Sequence, residues 1–296
     1  MANEVLTSNL ERANAVLDAR FLLLLADRAI IGAHPAIFDA GDVASINNNV
    51  IKVRRLGLDG YDIMATATEI QDLANVAFTD ASTNVTVGRY SLSYDASTLA
   101  VGTDSVLGLD RFASSLLMSA MVTETSLLAS LATGFSNSSG SVSAEMSLTT
   151  FLAALAALEA RNVPGPYMFL GHSAHRRGLR LEQLLSVGGQ TQYQPPTGVA
   201  VGSTFGGRLF DVDTYYTNRA PDSSTGKAGM MVGTGAILRG YLSPPVEDPS
   251  RQTAVQNILV EYARDAGATI SQYHGHLFVG YAENDDDRGQ QILCKT

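Results

Sequence analysis

Hydrophobic and polar positions change rhythm near residue 100. Before it, two stretches at 49–58 and 84–94 alternate in the strand sense. After it, from Thr103 to Ala132, the period lengthens to three and four. Val106, Leu109, Ala113, Leu116, Leu117, Ala120, Met121, Leu127, Leu128 and Leu131 carry it, with no proline among them. This predicts a helix of about 45 Å at 1.5 Å per residue. Thr103 or Asp104 is placed to cap its start, and Gly134 to occupy the C′ position after it. A helix that long exceeds the usual three turns by a wide margin and suits a protein that braces an assembly.

The earlier stretches look less like core. Val50-Ile51-Lys52-Val53-Arg54-Arg55-Leu56 sets charge beside apolar groups. That suits a two-stranded ribbon lying on a neighbour. In Val85–Tyr94 the phase slips at Gly88, where a β-bulge is expected. Residues 1–45 read as an arm, with a weak helical pattern (Val5, Leu10, Val16, Phe21) running to His34-Pro35. Asn47-Asn48-Asn49 breaks the chain before the ribbon.

Beyond the long helix, Ser147–Arg161 and Ser173–Leu185 read as helices, with a buried strand at Tyr167–Leu170 between them. Gly188–Gly202 is a loop. Strand-like pieces follow at 208–215, 229–232 and 236–241, then two long strands at Gln256–Ala263 and His276–Tyr281. These last strands lack neighbours of their own and are expected to pair with the long helix across the sequence. The fold class is therefore α+β.

Composition narrows the function. The chain has 296 residues, 45% hydrophobic and only 17% charged, so much of its surface is expected to be covered by other copies. The net charge is −9, which argues against tight phosphate binding over the whole surface. The single cysteine, Cys294, excludes an intrachain disulfide and a cysteine-based zinc site. The start lacks the basic region of a secretory signal. Phe21–Leu25 is too short to span a bilayer, and Phe112–Ala132 carries Glu124 and many hydroxyls, so no membrane partner is expected.

Candidate chemistry is sparse. Gly171-His172-Ser173-Ala174-His175 follows a strand and opens a helix as a nucleophile elbow does, and Asp211 or Asp213 with His274 completes the order of a hydrolase triad. The second glycine is missing, so Ser173 reads better as a helix cap. Gly233-Thr234-Gly235-Ala236-Ile237-Leu238 lacks the third glycine of a dinucleotide loop. His274 and His276 share a strand face without a third ligand. Glu283–Asp287 lacks the glycine and final glutamate of a calcium loop. No cofactor and no metal are expected. Lys52, Arg54, Arg55, Arg89 and Tyr90 form the candidate intersubunit surface. Asp104 and Asp110 of an adjacent copy would be their acidic partners, and Leu116 and Leu117 mark the helix between.

The order of elements resembles the HK97-fold major capsid proteins of tailed phages. Ile51–Leu58 with Val85–Tyr94 looks like the family's E-loop, and Thr103–Ala132 like its spine helix. Pro166-Tyr167-Met168-Phe169-Leu170 with the helix after it looks like the opening of the A-domain. Gly206-Gly207-Arg208-Leu209-Phe210-Asp211-Val212 is similar to the family's turn-then-strand segment. The run from Arg251 to Arg264 resembles the long P-domain strand, and His276–Tyr281 its return. The resemblance implies an N-terminal arm at 1–45, an E-loop at 46–101 and a spine-bearing P-domain segment at 102–146. An A-domain at 147–246 and P-domain strands at 247–296 complete it.

It also implies a non-enzymatic shell protein in the virion capsid, assembled in the host bacterial cytoplasm into pentamers and hexamers around double-stranded DNA. Portal, separate scaffolding and decoration proteins would be its partners. Covalent crosslinking would have to use Lys52, the only lysine of the E-loop region. An encapsulin-type compartment, with the same fold and a protein cargo, is the alternative, and a serine hydrolase using Ser173 the remaining one.

Overall fold

The computed structural model describes residues 34–45, 48–57, 79–97, 105–185, 205–248, 252–265 and 270–296. The predicted arm before His34, the tip of the E-loop, the caps Thr103 and Asp104 and the loop Gly188–Gly202 lie outside them.

In chain order the first strands are β1 (Ile37–Asp42), β2 (Val50–Gly57), β3 (Thr79–Thr86) and β4 (Gly88–Ser97). The long helix α1 (Ser105–Ser130) continues as a short 3-10 turn, Leu131–Thr133. Then come β5 (Ser138–Gly140), α2 (Leu148–Ala160), β6 (Tyr167–Gly171), α3 (Ser173–Leu185), β7 (Phe205–Leu209) and β8 (Val212–Tyr216). The chain closes with β9 (Asp222–Ser223), β10 (Gly226–Val232), β11 (Ile237–Tyr241), β12 (Gln252–Val255), β13 (Ile258–Asp265), β14 (Ile270–Glu283) and β15 (Gly289–Lys295).

These strands form a six-stranded sheet (β1-β11-β14-β13-β12, with β4 on β14), a seven-stranded sheet (β5-β15-β10-β6-β8-β7, with β9 on β10) and the two-stranded ribbon β2-β3. The sheets cut across sequence order. β11 runs beside β14 in the six-stranded sheet, whereas β15 leaves that region and pairs along the whole of β10.

Helix α1 joins the two sheets. Leu116, Leu117 and Ala120 pack on Ile258, Val260, Tyr273, Leu277 and Val279 of the six-stranded sheet. Gly275 on β14 admits this approach, because a Cβ there would overlap the Leu116 side chain. Farther along, Leu128, Ala129 and Ala132 enter the core between the sheets with Met168, Leu170, Met230 and Ile237. The segment Ser115–Thr133 is long and apolar enough to cross a membrane by length and composition, yet this face is committed to protein packing. Two of its hydroxyls are satisfied within the helix: Thr123 and Thr125 donate to the carbonyls of Ser119 and Met121.

The seven-stranded sheet is covered on its other face. Phe151, Leu155 and Leu158 of α2 and Leu179 of α3 close over Phe169, Met231, Ile292 and Cys294. Alternation along β10 serves both cores: Met230 and Val232 face one, Met231 the other. Ser147 caps α2 by accepting from the Thr150 N–H at 3.0 Å.

Several sequence expectations need correction. The stretch 84–94 is not one ribbon strand with a bulge. β3 ends at Thr86 and β4 begins at Gly88, so the chain changes sheets at Val87. The 208–215 piece is a hairpin, turning at Phe210 and Asp211 with φ of 48° and 65°. Gln256–Ala263 likewise breaks at Gln256 (φ 54°) into the β12–β13 hairpin. Gly134 is not a left-handed C′ glycine; its φ is −76°. Its small size matters instead, since a Cβ would lie 2.5 Å from Glu283 Oε2.

Candidate assembly surface

The ribbon is seated by a small apolar cluster. Ile51, Val85 and Val87 pack with Val43 and Leu238, and Gly240 leaves room, with its Cβ position only 3.0 Å from Ile51 and Val85 methyls. Leu238 and Gly240 are on one face of β11; Ile237, Arg239 and Tyr241 are on the other, with α1. The ribbon base and the long helix therefore sit on opposite faces of the six-stranded sheet.

Lys52 and Arg54 lie on the ribbon face opposite Ile51 and Val53, both exposed. Neither forms an ion pair among the described residues. Arg55 is on the same strand, in register with Ala81. Both edges of this pair are unpaired among the described residues, and an isolated two-stranded ribbon is marginal in water. Sequence reasoning placed these cations correctly on a ribbon.

Arg89 and Tyr90 are elsewhere. Because the chain switches at Val87, both lie on β4 within the six-stranded sheet, opposite Phe278 and Leu277. Arg89 Nη2 approaches His276 Nε2 at 3.0 Å. Ser91 Oγ is 2.8 Å from His276 Nδ1, and Glu261 Oε2 is 3.4 Å from Nε2. Burial and the Arg89 charge pull the His276 pKa below its usual value, against the opposing pull of Glu261. His274 stacks parallel to His276 at 6.4 Å. Among the described residues no group of histidine, cysteine and carboxylate side chains could hold a metal.

Leu116 and Leu117 are 3% and 2% exposed, so they act inside this chain's own core and present no surface. Asp110 lies in the second turn of α1. Asp104 is outside the described residues.

The most notable site on α1 is one that the pattern only touched. Glu124 is 5% exposed and meets Arg239 Nη2 at 3.4 Å and Asn257 Nδ2 at 3.3 Å. Burial holds its carboxyl above the usual range despite Arg239. Glu124 Oε2 and Arg239 Nε are buried without a hydrogen-bond partner. The register aligns Asp39, Arg239 and Tyr281 in one row across β1, β11 and β14, beneath Glu124.

The hydrolase arrangement is not built. Ser173 opens α3, but His172 is the cap: its carbonyl accepts from Arg176 and its Nδ1 from the Ala174 N–H. His175 reaches back to accept the His172 N–H at 3.0 Å and donates through Nε2 to the Ile292 carbonyl at 3.1 Å. This is a capping box with histidine in the role of glutamate. Burial lowers the His175 pKa to about 4, consistent with a neutral ring. Asp213 binds His34 at 3.1 Å, and His274 belongs to the other sheet. Gly233–Gly235 forms a turn held by Thr234 to the Pro164 and Gly165 carbonyls.

No family model and no curated protein matches the sequence. Solved structures do match. The capsid of an empty GTA particle aligns with TM-score 0.58 at 10% identity, over 91% of this chain and 91% of that one. The capsid of Ralstonia phage GP4 aligns with TM-score 0.57 at 11% identity, over 91% and 89%. The holo-SrpI encapsulin complex from Synechococcus elongatus aligns with TM-score 0.53 at 12% identity, over 82% and 81%. The ribbon, the long helix between two sheets and the late return strands thus form an HK97-like α+β fold along nearly the whole chain.

Proposed function

We propose that this protein is a major capsid protein. It self-assembles into pentamers and hexamers of an icosahedral shell enclosing a double-stranded DNA genome. The observation that carries this reading is the end-to-end likeness to the GTA and Ralstonia phage GP4 capsids. The exposed, cation-bearing ribbon supports it, since such a ribbon gains most when laid on another copy. Many weak contacts of this kind, multiplied around closed rings, give a stable shell. The acidic balance suits a container that must release its DNA. The role is structural, with no reaction.

The same reading divides the chain into an arm (1–45), an E-loop (46–101), a spine segment (102–146), an A-domain (147–246) and P-domain strands (247–296), with β11 and β15 exchanged between the sheets. Its location is the virion capsid after assembly in the host bacterial cytoplasm, with portal, scaffolding and decoration proteins as further partners. An encapsulin-type compartment is the second reading, favoured by the SrpI alignment. Electron microscopy of particles purified from the native source separates the two. Shells holding nuclease-protected DNA are expected. Shells holding a protein cargo would transfer the assignment to a compartment, and absence of any shell would remove both.

A further inference from the structure

Three buried polar atoms at the junction of α1 with the six-stranded sheet have no hydrogen-bond partner: Glu124 Oε2, Arg239 Nε and Tyr281 Oη. They belong to residues that meet. Arg239 and Tyr281 are register partners across β11 and β14. Glu124, only 5% exposed, reaches down from α1 to Arg239. That ion pair closes through Nη2 and Oε1, at 3.4 Å, and Oε1 also takes the Asn257 amide at 3.3 Å. The other polar atoms of the pair, Nε and Oε2, stay apart. Leaving buried donors and acceptors unpaired is costly, so the site calls for something that serves all three.

The chemistry of the three atoms selects it. Arg239 Nε can only donate, Tyr281 Oη can donate, and a carboxylate Oε2 can only accept. A metal ion or an ammonium group would satisfy Oε2 but meet the protons of Arg239 and Tyr281. A phosphate or carboxylate would accept those protons but meet the charge of Glu124, with that of Asp39 nearby. A neutral group that both accepts and donates fits all three, and water is the smallest of them. Access is provided. A cavity of about 320 Å³, room for about ten waters at roughly 30 Å³ each, is lined by Arg239 and Asn257, the two residues that hold Glu124, together with Asp39, Tyr241, Ser243 and Gln256. We infer that one ordered water is bound between Glu124, Arg239 and Tyr281, accepting from Nε and Oη and donating to Oε2. Three bonds is the usual number for a buried water. The helix is thereby tied to β11 and β14 through a solvent molecule as well as through the ion pair. The site is internal to one chain and stands apart from the shell reading.

A density map of the purified protein that resolves ordered water tests it. One peak is expected within about 2.7–3.2 Å of all three atoms. A direct bond from Arg239 Nε or Tyr281 Oη to Glu124 Oε2, with no peak between them, would overturn the site. Tyr281→Phe keeps the ring and removes one contact, so the peak should weaken. A peak of wild-type strength in that variant would count against the assignment. Glu124→Leu combined with Arg239→Leu, with folding followed by circular dichroism, should abolish the peak and leave a dry apolar space. A peak retained there would show that these residues do not hold it, and Tyr281→Phe decides where the double variant fails to fold.

Discussion

The two large sheets solve the same problem differently. The seven-stranded sheet is closed: α2 and α3 cover one face, α1 the other, and its buried histidine has both ring nitrogens engaged. Among the described residues the six-stranded sheet is less fully covered. Of the described residues, those of helix α1 cover one face in part, beside a polar cavity and a buried glutamate oxygen without a hydrogen-bond partner. On the other face the ribbon rises from a small apolar seat. On the proposed function, the closed sheet carries stability and the other one supplies contacts to another copy. Disturbing the first should unfold the protein, and disturbing the second should spare the monomer and stop assembly.

The largest effect is expected at Phe169, fully buried and in edge contact with Phe151, His175 and Tyr216. Phe169→Ala should cost about 3–5 kcal/mol in denaturant unfolding and remove particles with it. An unchanged midpoint would break the claim that this sheet is the stable half.

Next comes acid sensitivity in the same sheet. The folded His175 pKa is depressed from 6.5 to about 4, so the unfolded chain binds the extra proton first. Its contribution, roughly 3 kcal/mol at ~1.4 kcal/mol per unit, is complete above pH 6.5 and lost as pH falls toward 4. Stability measured across that range should drop, and His175→Gln should flatten the slope.

Glu124 titrates in the opposite sense. Its folded pKa is raised above 4.5, so its contribution is full below that value and is lost as pH rises through the folded one. Glu124→Gln should remove this slope, with a cost of about 1–3 kcal/mol from the altered hydrogen bonds. A wild-type slope retained in the variant would show that the Glu124–Arg239 pair does not govern it.

The smallest effect on the monomer is expected at the ribbon. Lys52→Glu with Arg54→Glu should shift unfolding by no more than about 0.5 kcal/mol, as exposed positions do. A loss of several kcal/mol would mean that the ribbon belongs to the monomer's own core.

The three helices were legible because their apolar spacing is local: α2 and α3 lie where Phe151, Leu155 and Leu158, and Leu179, required them. Sheet membership was not, since pairing is decided between distant segments. Gly289–Lys295 carries little strand pattern beyond Ile292 and Cys294, yet β10 captures it along its full length. The switch at Val87 showed in the sequence only as a slipped phase at Gly88. The ribbon cations could be read from alternation of charge and apolar residues. The cavity could not, because Asp39 and Arg239 become neighbours only through the parallel register of β1 on β11. His172 and His175 were legible as a motif, but their capping role needed the backbone.

The most direct test of the whole account is a cryo-electron microscopy reconstruction of the purified protein. An icosahedral shell is predicted, with the β2–β3 ribbon of each subunit lying over a neighbouring copy beside its long helix. A small discrete oligomer, or a shell in which every ribbon folds back on its own subunit, would contradict it.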